Sequence, residues 1–254
     1  MARKTREQAL ATRQRILDAA VEVFLEKGFQ HSSLQNVAER AGVTRGAVYW
    51  HFRHRGDLLA ALLEMTQLPW QTVRPLPEAA LPGMESASLR EALTEMAMAP
   101  LVWLEKSLAA QQLLRIVGQI DPDDSAGLLT RVDAGRNAGL QYLQMAMVQA
   151  ANRGALRSHV AAEPTATALG LFALVDGLMQ HWLRQPTAFA LTSIGTQAVQ
   201  SHLAGVLRPL GYGPSGKNHG NPYPLPGPAV QHDSPPARPD RALRNAVGDS
   251  PDHR

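Results

Sequence analysis

Apolar residues recur at the spacing of one helix face along most of this 254-residue chain, and no segment shows sustained alternation of apolar and polar residues. In the first such segment Leu10, Leu17, Val21 and Phe24 recur at helical spacing before Gly28, a residue type that commonly ends helices. The composition is biased to Ala, Leu, Gln, Arg and Glu, which favour helix. The sequence therefore predicts an all-α protein.

Four short helical segments occupy the first seventy residues, and turns of a few residues separate them. Ser, Thr and Asp at the start of a helix accept hydrogen bonds from its free amide groups, so they mark the predicted starts. The predicted starts are Thr5 or Thr12 for the first helix, Ser32 or Ser33 for the second, Thr44 for the third and Arg55-Gly56-Asp57 for the fourth, with Gly42 between the second and third.

Proline marks the boundaries of the remaining parts of the chain. Four prolines between residues 69 and 83 indicate an irregular connection, after which helical patterns run from about 86 to 119, with a kink or break expected at Pro100. Further helices are predicted at about 125–153, 165–183 and 188–207. Residues 213–254 hold nine of the eighteen prolines and few large apolar residues, which indicates disorder. We expect three parts, 1–66, 67–210 and a Pro/Gly-rich tail over 211–254.

The positive charge of the chain is concentrated at its N-terminal end. Residues 1–57 carry ten Lys and Arg against six Asp and Glu, whereas residues 58–212 carry ten against twelve. Such an excess suits a region that binds a polyanion. The chain has no cysteine, which excludes disulfides, thiolate zinc sites and cysteine nucleophiles. Neither a secretory signal nor a membrane-spanning run is recognisable, so we expect a cytoplasmic protein, associated with the nucleoid when bound to DNA.

Residues 33–52 have the composition of a helix-turn-helix. Two short helices can cross closely only where a small residue lies at the crossing, and Ala38 supplies it. The turn needs a residue that tolerates positive φ, and Gly42 supplies that. Val37 and Val48 lie at the inward spacings of the two helices. The pattern predicts that the second helix enters the major groove of DNA with its N-terminus first.

The outward residues of this segment suit contacts with DNA. Arg45 can donate two hydrogen bonds to a guanine edge, Gly46 allows close approach, and Tyr49 shares the face of Arg45. Trp50 can either pack or contact the DNA backbone. The spacing of His51 and His54 suggests a pair of metal ligands, but the sequence offers no third ligand. A phosphate contact or a plain surface histidine is therefore the better interpretation. The predicted DNA contacts are Ser33, Thr44, Arg45, Gly46, Tyr49, Trp50, His51, Arg53 and Arg55.

Several runs of residues resemble a known family. They are Met1-Ala-Arg-Lys-Thr5, Thr12-Arg13, Ile16-Leu-Asp18, Gly42-Val-Thr-Arg-Gly-Ala-Val-Tyr-Trp-His-Phe52 and, more loosely, Asp176-Gly-Leu-Met-Gln-His-Trp-Leu183 with Pro186 and Phe189. With the first four runs, residues 1–66 resemble the DNA-binding domain of TetR-family transcriptional regulators, and the acriflavine-resistance repressor subgroup in particular. The last run resembles the C-terminal half of that subgroup.

The resemblance implies a homodimeric repressor that binds operator DNA, controls a multidrug efflux pump and is released by small apolar or drug-like inducers. The alternative is a TetR-family regulator of another pathway, such as lipid or metabolic genes. The resemblance covers most of residues 1–210 and implies an inducer cavity in the middle helices. It implies neither a cofactor nor a metal ion.

The middle of the chain mixes Met and Trp with isolated polar residues, which suits promiscuous apolar ligands, although Met at helical spacing is more often core. The expected ligand-binding residues are Gln67, Trp70, Trp103, Arg115, Gln119, Asn137 and Gln141. The last two long helices carry apolar residues on more than one side, so one face can pack internally and the other can pair with a second subunit. The expected dimer residues are Leu169, Phe172, Leu178, Met179, Trp182 and Leu203.

Two other functions compete with DNA binding. Residues 211–217 match a Gly-rich nucleotide-binding pattern, but no strand precedes them, Asn218 replaces the magnesium-binding Ser or Thr, and Pro222 prevents a long helix. Neither G-x-S-x-G nor H-E-x-x-H occurs, so the sequence predicts that the chain is not an enzyme. A helical interaction module without DNA binding would tolerate the substitution Arg45→Ala.

Overall fold

The computed structural model describes residues 2–76, 86–121, 127 and 129–209. Within those ranges the regular structure is helical, and the only β-type pairing is an isolated bridge between Leu156 and Leu207. The predicted all-α class is therefore confirmed. The tail over 211–254 and the nucleotide-binding pattern at 211–217 lie outside the described residues, so their interpretation stays a prediction.

The N-terminal part contains four helices, α1 (Ala2–Lys27), α2 (Leu34–Ala41), α3 (Arg45–His51) and α4 (Arg55–Met65). The predicted starts of the first helix are wrong, because α1 begins at Ala2 and both Thr5 and Thr12 lie inside it. Of the two serines offered for α2, Ser33 is the cap, and its hydroxyl accepts from the amide of Asn36. We call residues 2–65 the headpiece.

The headpiece has its own apolar core, in which Leu17, Phe24, Val48 and Leu59 are buried. This core does not end with α4. It also contains five buried apolar residues from further along the chain, namely Leu68, Leu113, Ile116, Ile120 and Val132. Burial of a large aliphatic side chain stabilises a protein by about 1.5–3 kcal/mol, so these contacts hold the headpiece firmly against the middle of the chain.

The rest of the chain forms a 3-10 turn (Pro69–Thr72) and the helices α5 (Ser86–Lys106), α6 (Leu108–Val117), α7 (Thr130–Asn152), α8 (Ser158–Ala161), α9 (Pro164–Arg184) and α10 (Leu191–Val206). Of the kink or break predicted at Pro100, the break is wrong, because α5 continues through that residue. The helix instead ends near Ser107, whose hydroxyl accepts from the amide of Ala110 and starts α6.

A second apolar core lies among the helices that follow the headpiece. In it α7 packs against α9 and α5 packs against α10. Leu93, Leu143, Leu171, Val175 and Leu203 are all buried there. None of the helices in the described ranges is both long and apolar enough to cross a lipid bilayer.

Candidate functional site

The turn between α2 and α3 has the geometry that the sequence predicts. Gly42 adopts φ +63°, a left-handed conformation that favours glycine, and its amide donates to the carbonyl of Glu39 at 3.3 Å. Thr44 caps α3, since its Oγ1 accepts from the amide of Ala47 at 3.2 Å. Ala38 and Val48 are buried where the two helices meet. These residues form a helix-turn-helix.

The outer face of α3 is open to solvent. Trp50 is 73% exposed and Tyr49 is 46% exposed, which is unusual for large apolar side chains on a helix of a packed domain. Arg45 lies against Tyr49: its Nη2 donates to the tyrosine hydroxyl at 3.2 Å, and its guanidinium carbon is 5.1 Å from the ring centroid. A Cβ atom at Gly46 would meet no atom within 4 Å. The first turn of α3 can therefore be approached closely.

The C-terminal end of α3 is partly covered by α1. His51 is half-buried and packs edge-on against Trp50, with ring centroids 4.4 Å apart. Burial, and secondly the positive charge of Arg13, lower the pKa of His51, so its imidazole is neutral at pH 7. The guanidinium carbon of Arg13 is 5.3 Å from the ring centroid of Phe52, which is buried. His51 can thus donate a hydrogen bond but carries no charge.

Of the predicted contact residues around the helix-turn-helix, Arg55 is the one whose hydrogen bonds differ from the sequence prediction. Arg55 was expected to contact phosphate, but its Nη1 donates to the carbonyl of Gln30 at 2.7 Å and its Nη2 donates to Gln30 Oε1 at 2.9 Å. His54 caps α4, since its Nδ1 accepts from the amide of Asp57 at 3.2 Å. Arg53 and Ser33 are exposed, as a phosphate contact requires. Arg55 therefore fastens α4 to the loop before α2.

A cavity of about 170 Å³ lies between the 3-10 turn and helices α6, α7 and α9. Its apolar lining includes Trp70 from the turn and Leu68 immediately before it, Leu114 and Val117 from α6, and Met179 from α9. Because ligand pockets combine apolar walls with a few polar groups, this cavity is the best candidate for a small-molecule site in the described part of the chain.

The polar groups of the cavity form one network around Asp176. The indole Nε1 of Trp70 donates to Asp176 Oδ1 at 3.0 Å. Arg136 makes a bidentate ion pair with the same carboxylate, through Nη1 to Oδ1 and through Nη2 to Oδ2, the latter at 3.0 Å. Charge-assisted and bidentate hydrogen bonds are stronger than hydrogen bonds between neutral groups. Because its partners lie on α7 and the 3-10 turn, Asp176 of α9 links these three elements.

Trp70 is the central side chain of this arrangement. Its ring stacks on that of Phe172, with centroids 4.1 Å apart and planes 23° apart. The indole also lies directly against the backbone of α7, where a Cβ atom at Gly139 would be 2.8 Å from Trp70 Cε3. A glycine at that position is what allows the indole to approach the helix so closely.

Of the seven residues expected to bind ligand, Trp70 lines this cavity and the other six do not. Trp103 Nε1 donates to the carbonyl of Gln67 at 2.8 Å, and Arg115 Nε donates to the carbonyl of Leu183 at 3.1 Å, so these residues connect neighbouring elements. Gln119, Asn137 and Gln141 are exposed. Sequence reasoning missed Arg136 and Asp176, although a lone carboxylate among the apolar residues of α9 was a usable signal.

The expected dimer residues fall into two groups, one buried within the chain and one at least partly exposed. Four of them are buried inside the single chain, because α9 is covered by α7 on one side and by α10 on another. The prediction is therefore wrong for these four, which are core residues: Phe172, Met179, Trp182 and Leu203. Leu169 is 52% exposed, and Leu178 is half-buried. Ile194 of α10, which was not selected, is 40% exposed. An outer surface of α9 and α10 therefore remains uncovered within one chain.

Known proteins share this architecture. Residues 16–62 match the tetR family of bacterial regulatory proteins. The transcriptional regulator SrpR of Pseudomonas putida is 35% identical over 72% of this chain and 81% of its own length.

Among solved structures, NalD of Pseudomonas aeruginosa, the secondary repressor of the MexAB-OprM multidrug efflux pump, is 29% identical and has a TM-score of 0.62 over 80% of this chain and 98% of its own. SmeT, the repressor of the Stenotrophomonas maltophilia efflux pump SmeDEF, in complex with triclosan, is 28% identical and has a TM-score of 0.59 over 85% and 99%. With the helix-turn-helix geometry, these similarities establish that the chain belongs to the TetR family of DNA-binding transcriptional regulators.

Proposed function

We propose that the chain is a repressor of a multidrug efflux pump operon, and that small apolar or drug-like molecules release it from its operator. The observation that carries the proposal is the solvent-exposed face of α3, with Arg45, Gly46, Tyr49 and Trp50, on a chain similar to NalD and SmeT. The names of those two proteins describe repressors of multidrug efflux pumps, which supports the same kind of target here.

The headpiece is the proposed DNA-binding domain, with its boundary near residue 66. In the free protein Arg45 is held against Tyr49, and rotation of its side chain brings the guanidinium to a guanine edge. The exposed positions of Ser33 and Arg53 support contacts with phosphate. The proposed contact set is Ser33, Thr44, Arg45, Gly46, Tyr49, Trp50, His51 and Arg53.

The proposed repressor is a homodimer, because two recognition helices about 34–36 Å apart read successive turns of a two-fold operator. The surface for pairing is the outer side of α9 and α10, where Leu169 and Ile194 are exposed. Ala173 and Gly177 are exposed on the same helix, and such small residues let two helices approach closely. A four-helix bundle formed by two copies of this pair would bury both leucine and isoleucine.

The proposed ligand-binding and dimerisation domain spans residues 67–210, and the cavity between α6, α7 and α9 is its ligand site. Two connections lead from it to the headpiece. The 3-10 turn follows α4 directly, and α6 contributes Leu113 and Ile116 to the headpiece core. A ligand releases DNA only if it binds the DNA-incompetent arrangement more tightly than the DNA-bound one.

Fluorescence anisotropy with labelled DNA from upstream of the protein's own gene tests the proposal. We expect saturable binding that weakens steeply with salt and is reversed by antibiotics or dyes. Arg45→Ala should cost about 1–3 kcal/mol of binding free energy and relax specificity at one base. Arg153→Ala, which alters an exposed arginine after α7, is the control and should bind as the wild type does. If the affinity for DNA is unchanged in Arg45→Ala, DNA recognition by α3 is contradicted. If no ligand changes the affinity for DNA, the inducer site is contradicted.

A further inference from the structure

The cavity between α6, α7 and α9 is too small for the ligands that the proposed function requires. Its volume is about 170 Å³, whereas drug-sized ligands occupy pockets of about 300–1,000 Å³. A cavity of about 150 Å³ holds a molecule the size of benzene. Some wall must therefore move before a larger molecule can bind, and the following inference rests on the proposed ligand site.

Trp70 is the wall that can move with the least loss of structure. It belongs to a four-residue 3-10 turn, whereas the other large side chains of the lining lie on helices α6, α7 and α9 or immediately before the turn or α7. At Gly139 the indole packs against the backbone of α7 and not against a side chain. Its specific attachments are the stack on Phe172 and the hydrogen bond to Asp176.

The indole makes the same contacts that a bound aromatic molecule would need. Phe172 offers a ring face at 4.1 Å, and the half-buried Asp176 offers its Oδ1 as an acceptor at 3.0 Å from the donor. We propose that Trp70 occupies the aromatic subsite of the ligand site, and that inducers are planar aromatic molecules with an N–H or O–H donor that displace the indole. The inducer takes over both the stack on Phe172 and the hydrogen bond to Asp176.

The charges of the lining define the ligand class further. Asp133 and Asp176 supply two carboxylates, and Arg136 is the one cation among the lining residues of this cavity. Because Arg136 is already paired with Asp176, an anionic ligand group would meet an unbalanced negative charge. A neutral or cationic donor faces no such repulsion. The site therefore favours neutral or cationic aromatic molecules over aromatic carboxylates.

Displacement of Trp70 has a direct route to the headpiece. The 3-10 turn begins four residues after the end of α4, and its conformation is held by the hydrogen bond from the amide of Leu68 to Gln71 Oε1 at 2.8 Å. Gln71 also lies close to α7, where a Cβ atom at Gly135 would be 3.1 Å from Gln71 Cγ. When the indole leaves its place against α7, the turn loses one of its anchors, and α4, to which the turn is joined, can shift within the headpiece core.

Isothermal titration calorimetry with indole and 1-methylindole tests the proposal on the full chain without DNA. The two probes have similar shape, but only indole carries an N–H donor. Trp70→Phe keeps an aromatic ring but removes the N–H donor that bonds to Asp176. Added indole then no longer competes with that hydrogen bond, so it should bind the variant roughly tenfold or more tightly than it binds the wild type. Trp70→Ala should bind indole more tightly still. Both variants should bind 1-methylindole roughly tenfold or more weakly than indole.

Trp103→Phe is the matched control, because the Trp103 indole also donates a hydrogen bond but does not line this cavity. It should bind indole as the wild type does. Should Trp70→Ala fail to fold, Trp70→Phe decides the question by itself. The proposal is overturned if Trp70→Phe and the wild type bind indole equally, or if the variants do not distinguish the two probes. Operator binding is measured separately, so a chain that binds DNA but fails these titrations contradicts this inference and leaves the repressor proposal standing.

Discussion

Replacing Arg55 by alanine distinguishes two roles for this residue, a contact with phosphate and an internal connection. In the structure the guanidinium donates to the carbonyl of Gln30 at 2.7 Å and to its side-chain oxygen at 2.9 Å, and its central carbon is 5.1 Å from the ring centroid of Phe29. These contacts join the start of α4 to the loop between α1 and α2. Arg55→Ala removes all of them at once.

The expected loss of stability follows from these contacts. A hydrogen bond to a charged group contributes about 1.5–3 kcal/mol, and a cation–π contact at an exposed site contributes about 0.5–1 kcal/mol. Arg55 is half-buried, so solvent competes for its donors and the sum must be reduced. We expect the free energy of unfolding to fall by about 2 kcal/mol, which lowers the melting temperature by roughly 4–8 °C.

Urea denaturation measures the stability change, and anisotropy over a series of salt concentrations measures the number of phosphate contacts. The matched control is Arg53→Ala, because Arg53 is exposed two residues away and only its main-chain amide, which donates to Asp57, has a described hydrogen bond. Arg53→Ala should leave the denaturation midpoint unchanged and reduce the salt slope by about 0.9. If Arg55→Ala gives that second result instead of the first, our interpretation of Arg55 is refuted.

Three further substitutions test other parts of the structure. Gly46→Ala should raise the melting temperature slightly, since a methyl group there meets nothing within 4 Å, yet weaken operator binding measured by anisotropy; unchanged affinity would argue against close approach at α3. His202 has a pKa lowered by burial from the usual 6.5, so its contribution to stability is complete above that pH and is lost as the pH falls; melting curves from pH 7.5 to 5 should show a smaller loss for His202→Asn than for the wild type, and equal losses would refute this. Leu169→Asp should dissociate the dimer in sedimentation experiments, whereas Leu108→Asp, at a leucine 63% exposed on α6, should not; a monomeric wild type would exclude the proposed pairing.

The helix-turn-helix could be predicted because its requirements are local. Ala38 at the crossing, Gly42 in the turn and Thr44 at the cap lie within seven residues, and each is needed for a reason that concerns only its neighbours. The role of Arg55 could not be predicted, because its partner Gln30 is 25 residues away and offers a main-chain carbonyl that no side-chain pattern reveals.

Long-range packing explains the other errors. Pro100 does not end α5, because proline removes one helical hydrogen bond while the neighbouring Leu101 and Leu104 remain fully buried. Apolar residues surround much of α9, so their spacing alone cannot tell the side that meets α7 or α10 from the side left to a second subunit. The hydrogen bond between Trp70 and Asp176 joins residues 106 positions apart, which places the network of the cavity beyond any local pattern.

The ten residues of helix α6 contribute both to the headpiece core and to the lining of the cavity. Leu113 and Ile116 are buried in the headpiece core, while Leu114 and Val117 pack against that core and also line the cavity. Altering ligand preference by substitution on α6 therefore risks shifting the headpiece, since its two faces share one rigid backbone. Changes at Met179 or Gln180 on α9, which line the cavity and lie outside the headpiece core, offer a route to new ligand preferences that leaves the headpiece undisturbed. Among relatives of this chain, we expect ligand preference to diversify faster on α9 than on α6.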